Sequence, residues 1–282
     1  MPELPEVETV VRRLAKILPG KVIKKVKVFR AKSFQGQSSK LKGATIKSVF
    51  RRAKLICLQL DDDFNLLIHL KMTGQLIFID STKKTGGGHP TSDWINELPS
   101  KHTRVKITFQ DNSILYFNDM RVFGWMRILN QQELAAEFKR YGPDANSEQA
   151  NLNYLKKTFA HRSIPIKQAI MNNRFLAGIG NIYANEALFH AGVHPRRPAK
   201  SLTDSEWKKL YNAIRAVLSE GIKAGGTTFD GRYVDVDGLA GRYQVKLAVY
   251  GQAGKPCQNC RATIKKIKLG SRGTYFCPHC QI

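Results

Sequence analysis

The spacing of apolar residues changes twice along the chain. In residues 6–18 valine and leucine recur at helical intervals and Pro19-Gly20 follows, which predicts an amphipathic helix. From residue 21 the apolar residues alternate with a period of two. Such runs cover 21–29, 44–50, 54–60, 64–70, 75–80, 104–110 and 113–117. Many short alternating segments separated by turn residues are typical of a β-sandwich or barrel.

After about residue 130 the period becomes helical again. Helical patterns cover 131–141, 151–160 and 166–173, and a further helix is predicted from Thr203, where Glu206 completes a capping box. Three consecutive glycines at 86–88 predict a flexible loop. The pattern therefore predicts an α+β multidomain protein, with an N-terminal helix on a β-sandwich and a helical C-terminal part.

The charge indicates a nucleic-acid partner. The chain has 46 Lys and Arg against 22 Asp and Glu, a net charge of +24, and neutralisation of phosphates is the main sequence-independent source of affinity for nucleic acid. An acidic membrane surface is the competing partner, but no basic amphipathic stretch or long apolar run stands out. The first ten residues are acidic and lack the apolar segment of a signal peptide. We therefore expect a cytoplasmic location and no membrane partner.

Four cysteines in the last 26 residues form two Cys-x2-Cys pairs, which are separated by sixteen residues. They are Cys257, Cys260, Cys277 and Cys280. This is zinc-ribbon spacing, and four thiolates leave no open position, so we expect one structural zinc ion that holds a small hairpin. Free thiols or redox pairs are the alternative. Arg272 lies between glycines at the predicted hairpin tip, where it could reach a phosphate or remain a solvated surface residue.

The N-terminus offers a candidate nucleophile. Removal of Met1 would expose Pro2 as a secondary amine, and an α-amino group has a reference pKa of about 7.7–8.0, so a far larger fraction of it than of a lysine side chain is unprotonated at neutral pH. Such an amine can attack an aldehyde-level carbon, with Glu3 beside it for proton transfer. The competing interpretation is that proline and glutamate here only start a helix.

Five segments, in this order, resemble motifs of the bacterial formamidopyrimidine-DNA glycosylases. They are PELPEVETV, RRAKLI, MRVFGW, AGIGNIYANE and GSRGTYFCPHC. The resemblance covers nearly the whole chain and implies a catalytic β-sandwich at 1–130 and a linker at 131–150. It further implies a helix–two-turn–helix DNA-binding domain at 151–244, with a lesion-recognition loop at 225–242, and a zinc-finger β-hairpin at 245–282.

The same resemblance implies the catalytic residues. Pro2 attacks the sugar C1′ of a damaged nucleotide to form an iminium, and Glu3 assists. Lys54 matches the lysine assigned to proton transfer and phosphate contact, and Arg272 matches the hairpin arginine of the second elimination. The chemistry is expected to need no redox cofactor.

Further matched positions are implied to meet the DNA. Met72, Arg121 and Phe123 would fill the space left by the extruded base, although ordinary core and surface roles remain open for them. His102, Arg121, Arg162, Lys167 and Asn181 would contact the DNA. The chain departs from the family pattern at Val122, where members often carry a charged residue.

We therefore expect a monomeric bifunctional glycosylase and abasic-site lyase of base excision repair, which acts on oxidised purines in double-stranded DNA. Two alternatives remain. One is an oxidised-pyrimidine specificity of the endonuclease VIII kind, and the other is a non-catalytic zinc-ribbon protein that binds damaged DNA.

Overall fold

The computed structural model describes residues 1–81, 84–88, 98–227 and 242–282. The helices are α1 (Leu4–Ile17), α2 (Gln131–Phe138), α3 (Leu152–Phe159), α4 (Ile166–Ile170), α5 (Asn181–Ala191) and α6 (Asp204–Lys223). The strands are β1 (Ile23–Val28), β2 (Phe34–Gln35), β3 (Ile46–Arg52), β4 (Leu55–Leu60), β5 (Phe64–His69), β6 (Gly74–Ile79), β7 (Lys84–Gly88), β8 (Thr103–Phe109), β9 (Ile114–Asp119), β10 (Trp125–Asn130), β11 (Lys265–Leu269) and β12 (Arg272–Phe276). Most of the predicted lesion-recognition loop, 228–241, lies outside the described residues.

The chain divides into two compact units. The first comprises residues 1–139 and the described part of 224–242, and the second comprises 140–223 and 243–282. In the first unit, β1-β8-β9-β6-β7 form one five-stranded sheet and β2-β10-β5-β4-β3 form another. Inward-facing residues of both sheets share one apolar core, into which α1 also packs its three valines and Leu14. The predicted β-sandwich with an N-terminal helix is therefore confirmed.

Alternation along the strands determines which side chains enter this core. On β6, Leu76 and Phe78 lie in the shared core, whereas Ile77 lies on the outer face against Tyr116 of β9. This is the period of two that the sequence displays, and it follows from successive strand side chains pointing to opposite faces.

Two strands differ from the sequence expectation. The predicted glycine loop at 86–88 is wrong, because these residues belong to β7, which pairs antiparallel with β6. A strand ladder needs only main-chain groups, so glycine does not prevent pairing at the edge of a sheet. β10 was not anticipated, because only Met126 along it is fully buried and no alternation marks it.

The second unit contains helices α3 to α6 and the hairpin of β11 and β12. The predicted helix after Thr203 is α6, and the main-chain N–H of Thr203 donates to Glu206 Oε2 at 2.7 Å, as a capping box requires. The ring of Trp207 stacks on Phe159 of α3 with centroids 5.8 Å apart. Among the described residues, no helix has the length and apolar character needed to cross a membrane.

Candidate active site and nucleic-acid-binding residues

Pro2 and Glu3 are buried at the start of α1, and Met1 before them is 44% exposed. Glu3 is the N-cap residue of α1 and forms a reciprocal capping box with Glu6. In it the main-chain N–H of Glu3 donates to Glu6 Oε2 at 2.7 Å. The box fixes the main chain directly after Pro2, so the predicted nucleophile and proton-transfer group sit at one rigid helix end.

Glu6 also binds a segment far along the chain. Its Oε1 accepts the main-chain N–H of Thr227 at 2.8 Å, across 221 positions of sequence. Gly226 beside it has a φ of +89°, and a Cβ there would lie only 2.9 Å from Glu6 Cγ. Only glycine therefore fits this approach without a shift. No spacing in the sequence signals the bond.

Lys54 lies in the turn between β3 and β4 and is 4% exposed. Ala53 before it has a φ of +55°. Arg51 stabilises the turn, since its guanidinium donates to the Ala53 carbonyl at 2.7 Å and to Glu8 Oε2 of α1 at 2.8 Å. Burial raises the pKa of Glu8, but hydrogen bonds from Arg51 and Arg12 outweigh it and leave that pKa below its usual value. The position of Lys54 thus depends on α1.

Sequence reasoning did not find the cationic cluster around His69. Burial, assisted by the charges of Lys71, Lys54 and Arg127, lowers the pKa of His69 to about 3. His69 Nδ1 accepts the N–H of Lys71 at 3.0 Å, so the neutral ring carries its proton on Nε2. Three cations beside a neutral donor form a favourable place for a phosphate. The members come from separate segments, so no motif reveals them.

The three predicted void-filling residues lie on two turns of the first unit. Met72 is half-buried in the turn between β5 and β6, whereas Arg121 and Phe123 are exposed between β9 and β10. The guanidinium of Arg121 lies 4.8 Å from the centre of the Phe123 ring. Val122 between them has a φ of +55°. The contact between the guanidinium and the ring shows that the two flanking side chains lie together.

His102 lies in the turn before β8 and is half-buried. Its main-chain N–H donates to Ser100 Oγ at 3.1 Å, and its carbonyl accepts the N–H of Asp119 at 2.9 Å. The main chain at His102 is thus fixed to the end of β9, and its contact with DNA stays a prediction.

In the second unit, a buried ammonium connects α5 to the hairpin. Lys167 is 1% exposed, and its Nζ donates to Asn181 Oδ1 at 2.7 Å, to Thr274 Oγ1 at 2.8 Å and to the Gly273 carbonyl at 3.1 Å. Asn181 Nδ2 donates to the same carbonyl at 3.0 Å. The sequence suggested Lys167 as a direct DNA contact, but its ammonium faces protein acceptors.

Arg272 is exposed at the start of β12. The next residue, Gly273, carries the carbonyl that Lys167 and Asn181 bind. Further along β12, Asn185 Oδ1 of α5 accepts the N–H of Tyr275 at 2.8 Å. Arg272 therefore has an exposed side chain on a strand that α5 binds through two hydrogen bonds.

Arg162 is half-buried after α3. Its Nε donates to the Thr158 carbonyl at 2.9 Å, and its guanidinium carbon lies 3.6 Å from the centre of the Phe175 ring. Stacking and one hydrogen bond orient the guanidinium, and its contact with DNA stays a prediction.

The four predicted metal ligands come together. Their sulfur atoms all lie within 4.8 Å of one another. Cys257 and Cys280 have sulfurs 3.8 Å apart, and Cys260 and Cys277 have sulfurs 3.4 Å apart. In a tetrahedral site with Zn–S bonds of about 2.3 Å, the sulfurs are roughly 3.8 Å apart. The residues present therefore fit a metal of this kind.

Glu186 of α5 holds the segment that leads into this cluster, and sequence reasoning missed it. Its fully buried carboxylate accepts the N–H groups of Ala248, Val249 and Tyr250 at 2.8, 3.1 and 2.8 Å. Burial raises its pKa, against the opposing effect of these three donors. A buried carboxylate with three main-chain donors is a strong anchor for the chain that it binds.

Three family models match successive parts of the chain. Residues 1–126 match the formamidopyrimidine-DNA glycosylase N-terminal domain, 141–232 match the formamidopyrimidine-DNA glycosylase H2TH domain, and 254–282 match the zinc finger found in FPG and IleRS. These matches confirm the predicted fold class, including the helix–two-turn–helix domain and the four-cysteine zinc-finger hairpin.

Curated relatives and solved structures point the same way. The chain is 39% identical to a formamidopyrimidine-DNA glycosylase of Exiguobacterium sp., over 100% of this chain and 99% of the relative, and 38% identical to that of Heliobacterium modesticaldum, over 100% of both. It also resembles the solved complex between the Lactococcus lactis enzyme and DNA containing an abasic site, with a TM-score of 0.87, 31% identity and 99% coverage of both chains. The chain belongs to the formamidopyrimidine-DNA glycosylase family, the DNA glycosylases of base excision repair.

Proposed function

We propose that the chain is a bifunctional DNA glycosylase and abasic-site lyase that excises oxidised purines, 8-oxoguanine and formamidopyrimidines, through an iminium on Pro2. The observation that carries the proposal is the N-terminus. Pro2 directly precedes a helix whose first turn is fixed by the Glu3–Glu6 capping box, in a chain of this family. An exposed Met1 suits removal by an aminopeptidase, which frees the Pro2 nitrogen.

The proposed chemistry needs only a nucleophile and proton transfers. The Pro2 nitrogen attacks C1′, the bond from C1′ to the base breaks, and the sugar ring opens to an iminium as Glu3 protonates the ring oxygen. The iminium acidifies the neighbouring sugar carbon. Loss of a proton there expels the 3′ phosphate, and a second elimination expels the 5′ phosphate. No redox cofactor takes part in these steps.

Cationic residues are assigned to the phosphates and proton transfers. Lys54 is proposed to transfer protons and contact a phosphate, supported by the charge that accumulates around His69. Arg272 is proposed as a phosphate clamp in the second elimination, since a guanidinium is a poor proton donor. Its exposure on an anchored strand supports that role.

The proposed DNA contacts are of two kinds, those that fill the space of the extruded base and those that bind the DNA elsewhere. Met72, Arg121 and Phe123 are proposed to occupy the stack that the extruded base vacates, because apolar and planar side chains suit that space. His102, Arg121, Arg162 and Asn181 are proposed to contact the DNA, with Asn181 at the helix start that follows a glycine-rich turn. Lys167 is proposed to act indirectly, by orienting Asn181 and the hairpin.

We infer that the four-cysteine cluster binds one structural Zn²⁺ ion. Its ligands would be Cys257, Cys260, Cys277 and Cys280. The ion would stabilise a hairpin with a small apolar core and would leave catalysis to the protein side chains.

We further propose that the chain has four functional segments, 1–130, 131–150, 151–244 and 245–282, with lesion recognition at 225–242. The proposed location is the bacterial cytosol.

The substrate class follows from the solved relatives and leaves one second candidate. Lactococcus lactis structures contain DNA with Fapy-dG or an abasic site, which favours oxidised purines and abasic sites in double-stranded DNA as substrates here. Another structure of that enzyme contains an oxidised pyrimidine, so thymine glycol is the second candidate.

Excision from two duplexes separates these substrates. One duplex carries 8-oxoguanine opposite cytosine and the other carries thymine glycol opposite adenine. We expect faster cleavage of the first, with phosphates on both sides of a one-nucleotide gap, because β- and δ-elimination remove the sugar. Preferential cleavage of thymine glycol would favour the second candidate. Binding of both duplexes with no cleavage of either would contradict the proposed chemistry.

A further inference from the structure

One buried carboxylate binds both turns that carry the proposed void-filling side chains. Asp119, the last residue of β9, is fully buried. Its carboxylate accepts the Thr73 hydroxyl, the N–H of Arg121 at 3.2 Å and the N–H of Gly124 at 2.6 Å. We call these four groups the Asp119 clamp. Thr73 directly follows Met72, so the clamp joins the two turns.

Within the clamp, the Thr73 hydroxyl bridges the turns. It donates to Asp119 Oδ1 and accepts the N–H of Arg121 at 3.0 Å. The turn on its own side is closed by the N–H of Gly74, which donates to the Leu70 carbonyl at 2.8 Å. A displacement of either turn therefore breaks hydrogen bonds that hold the other.

The clamp surrounds a strained residue. Val122 has a φ of +55°, a left-handed conformation that is a genuine outlier for a β-branched side chain. The N–H groups on either side of it, at Arg121 and Gly124, both bind the Asp119 carboxylate. Strained backbone of this kind persists only where the surroundings enforce it.

The space beside the clamp is filled. A Cβ at Gly124 would lie 2.8 Å from the Phe117 ring and 3.1 Å from both Asp119 Oδ2 and the His69 carbonyl. The main chain of this turn therefore has a tightly defined position, while Phe123 remains 49% exposed. The arrangement fixes the main chain of the turn and leaves its proposed void-filling side chains exposed to solvent.

We propose that Asp119 is a positioning residue that holds the Met72 turn and the Arg121–Phe123 turn in one fixed arrangement for entry into the DNA stack. The proposal rests on the function proposed above, in which these side chains fill the vacated stack. The Asp119 carboxylate acts through the two turns and does not touch the reacting atoms. It is needed for base extrusion and not for elimination at a site that has already lost its base.

Asp119→Asn is the test variant. The carboxylate receives donors on both oxygens, whereas an amide offers one oxygen and turns an NH₂ group towards the remaining donor. We expect excision of 8-oxoguanine from a paired duplex to slow by about 10- to 100-fold, the cost of misplacing a positioning group. Cleavage of a preformed abasic site by the same variant should stay near the wild-type rate.

Two further variants separate positioning from general stability. Glycine adopts positive φ without strain, so adding Val122→Gly to Asp119→Asn should restore part of the excision rate. Asp61→Asn is the matched control, because Asp61 is an exposed carboxylate that accepts the main-chain N–H of Thr45 at 2.8 Å. It should leave both activities unchanged.

Each outcome has a defined meaning. Wild-type protein that cleaves neither substrate refutes the proposed function itself. An active wild type with unimpaired excision in Asp119→Asn overturns the clamp. Equal losses of excision and abasic-site cleavage, with no rescue by Val122→Gly, also overturn it, since they indicate a purely structural role.

Discussion

Lys167 is a charged residue whose surroundings decide its role. A lysine before a helix in a basic protein is ordinarily a candidate phosphate contact, yet this ammonium is buried among three protein acceptors. Burying an ammonium is costly unless its donors are all satisfied, so these three acceptors offset the cost of burying Lys167. The charge orients Asn181 and the main chain next to Arg272 instead of meeting solvent.

Replacing Lys167 with methionine should lower the free energy of unfolding of the protein by about 1.5–3 kcal/mol, the range for hydrogen bonds to charged groups. The methionine fills similar space but leaves the Asn181 and Thr274 oxygens without their donor. Chemical denaturation measures the change. Lys268→Met on the exposed face of β11 is the control and should shift the value by less than about 0.5 kcal/mol. Equal effects of the two substitutions would contradict the anchoring role.

At the residue scale, the sequence indicates candidate chemistry more readily than hydrogen-bond partners. Pro2, Glu3 and the four cysteines stand out as candidates because the chemistry proposed for them depends on position or short spacing. The bond from Glu6 to Thr227 spans 221 positions, and the cluster around His69 gathers three segments. Such contacts arise only when the fold brings separate elements together, so no local pattern records them.

At the scale of elements, capping motifs and apolar periodicity predicted helices and strands well, whereas edge strands left no clear pattern in the sequence. The capping box at Thr203 marks the start of α6 because it depends on residues three apart. The sandwich strands were visible because one face of each is buried. β7 was mistaken for a loop, since an edge strand can be held by main-chain bonds alone and its glycines carry no pattern.

The capping box of Thr203 and Glu206 predicts that the stability of the protein depends on pH. The guanidinium of Arg197 holds the pKa of Glu206 at about 2, well below its ordinary value, and bonds from Thr203 assist while burial opposes. Because the folded pKa lies below the unfolded value of 4.5, the unfolded chain binds more protons as pH falls from 4.5 towards 2. This contribution to stability is fully present above that window and is lost within it.

Glu206→Gln tests the dependence. We expect a loss of about 1 kcal/mol of unfolding free energy at neutral pH, and the gap from wild type should narrow as the pH falls to about 3. Unfolding followed by tryptophan fluorescence, to which Trp207 in the same helix contributes, reports the change. Glu220→Gln, an exposed carboxylate on α6, is the control. A gap that stays constant with pH would contradict the assignment.

At the scale of the whole molecule, a net charge of +24 makes DNA binding dependent on salt. Each phosphate that the protein neutralises releases condensed counterions, which steepens the fall of affinity with salt concentration. Much of this charge supplies non-specific attraction to DNA. Individual phosphate contacts should therefore be recognisable by their share of the salt dependence.

Arg272→Ala should reduce the slope of log affinity against log salt by about 0.9, the value for one phosphate. The measurement uses a duplex with an uncleavable abasic-site analogue, so that binding is read without turnover. Lys208→Ala, an exposed residue of α6 with no proposed DNA contact, serves as the control and should leave the slope unchanged. An unchanged slope in Arg272→Ala would contradict the phosphate-clamp role.

The central claim concerns one atom, the nitrogen of Pro2, and borohydride trapping tests it most directly. Protein whose N-terminus is verified by mass as Pro2 is incubated with an abasic duplex and reduced, and the adduct is located by peptide mapping. We predict a covalent adduct on the Pro2 nitrogen, and none from protein that retains Met1. An adduct on a lysine, or no adduct from protein with a verified Pro2 terminus, would contradict the account.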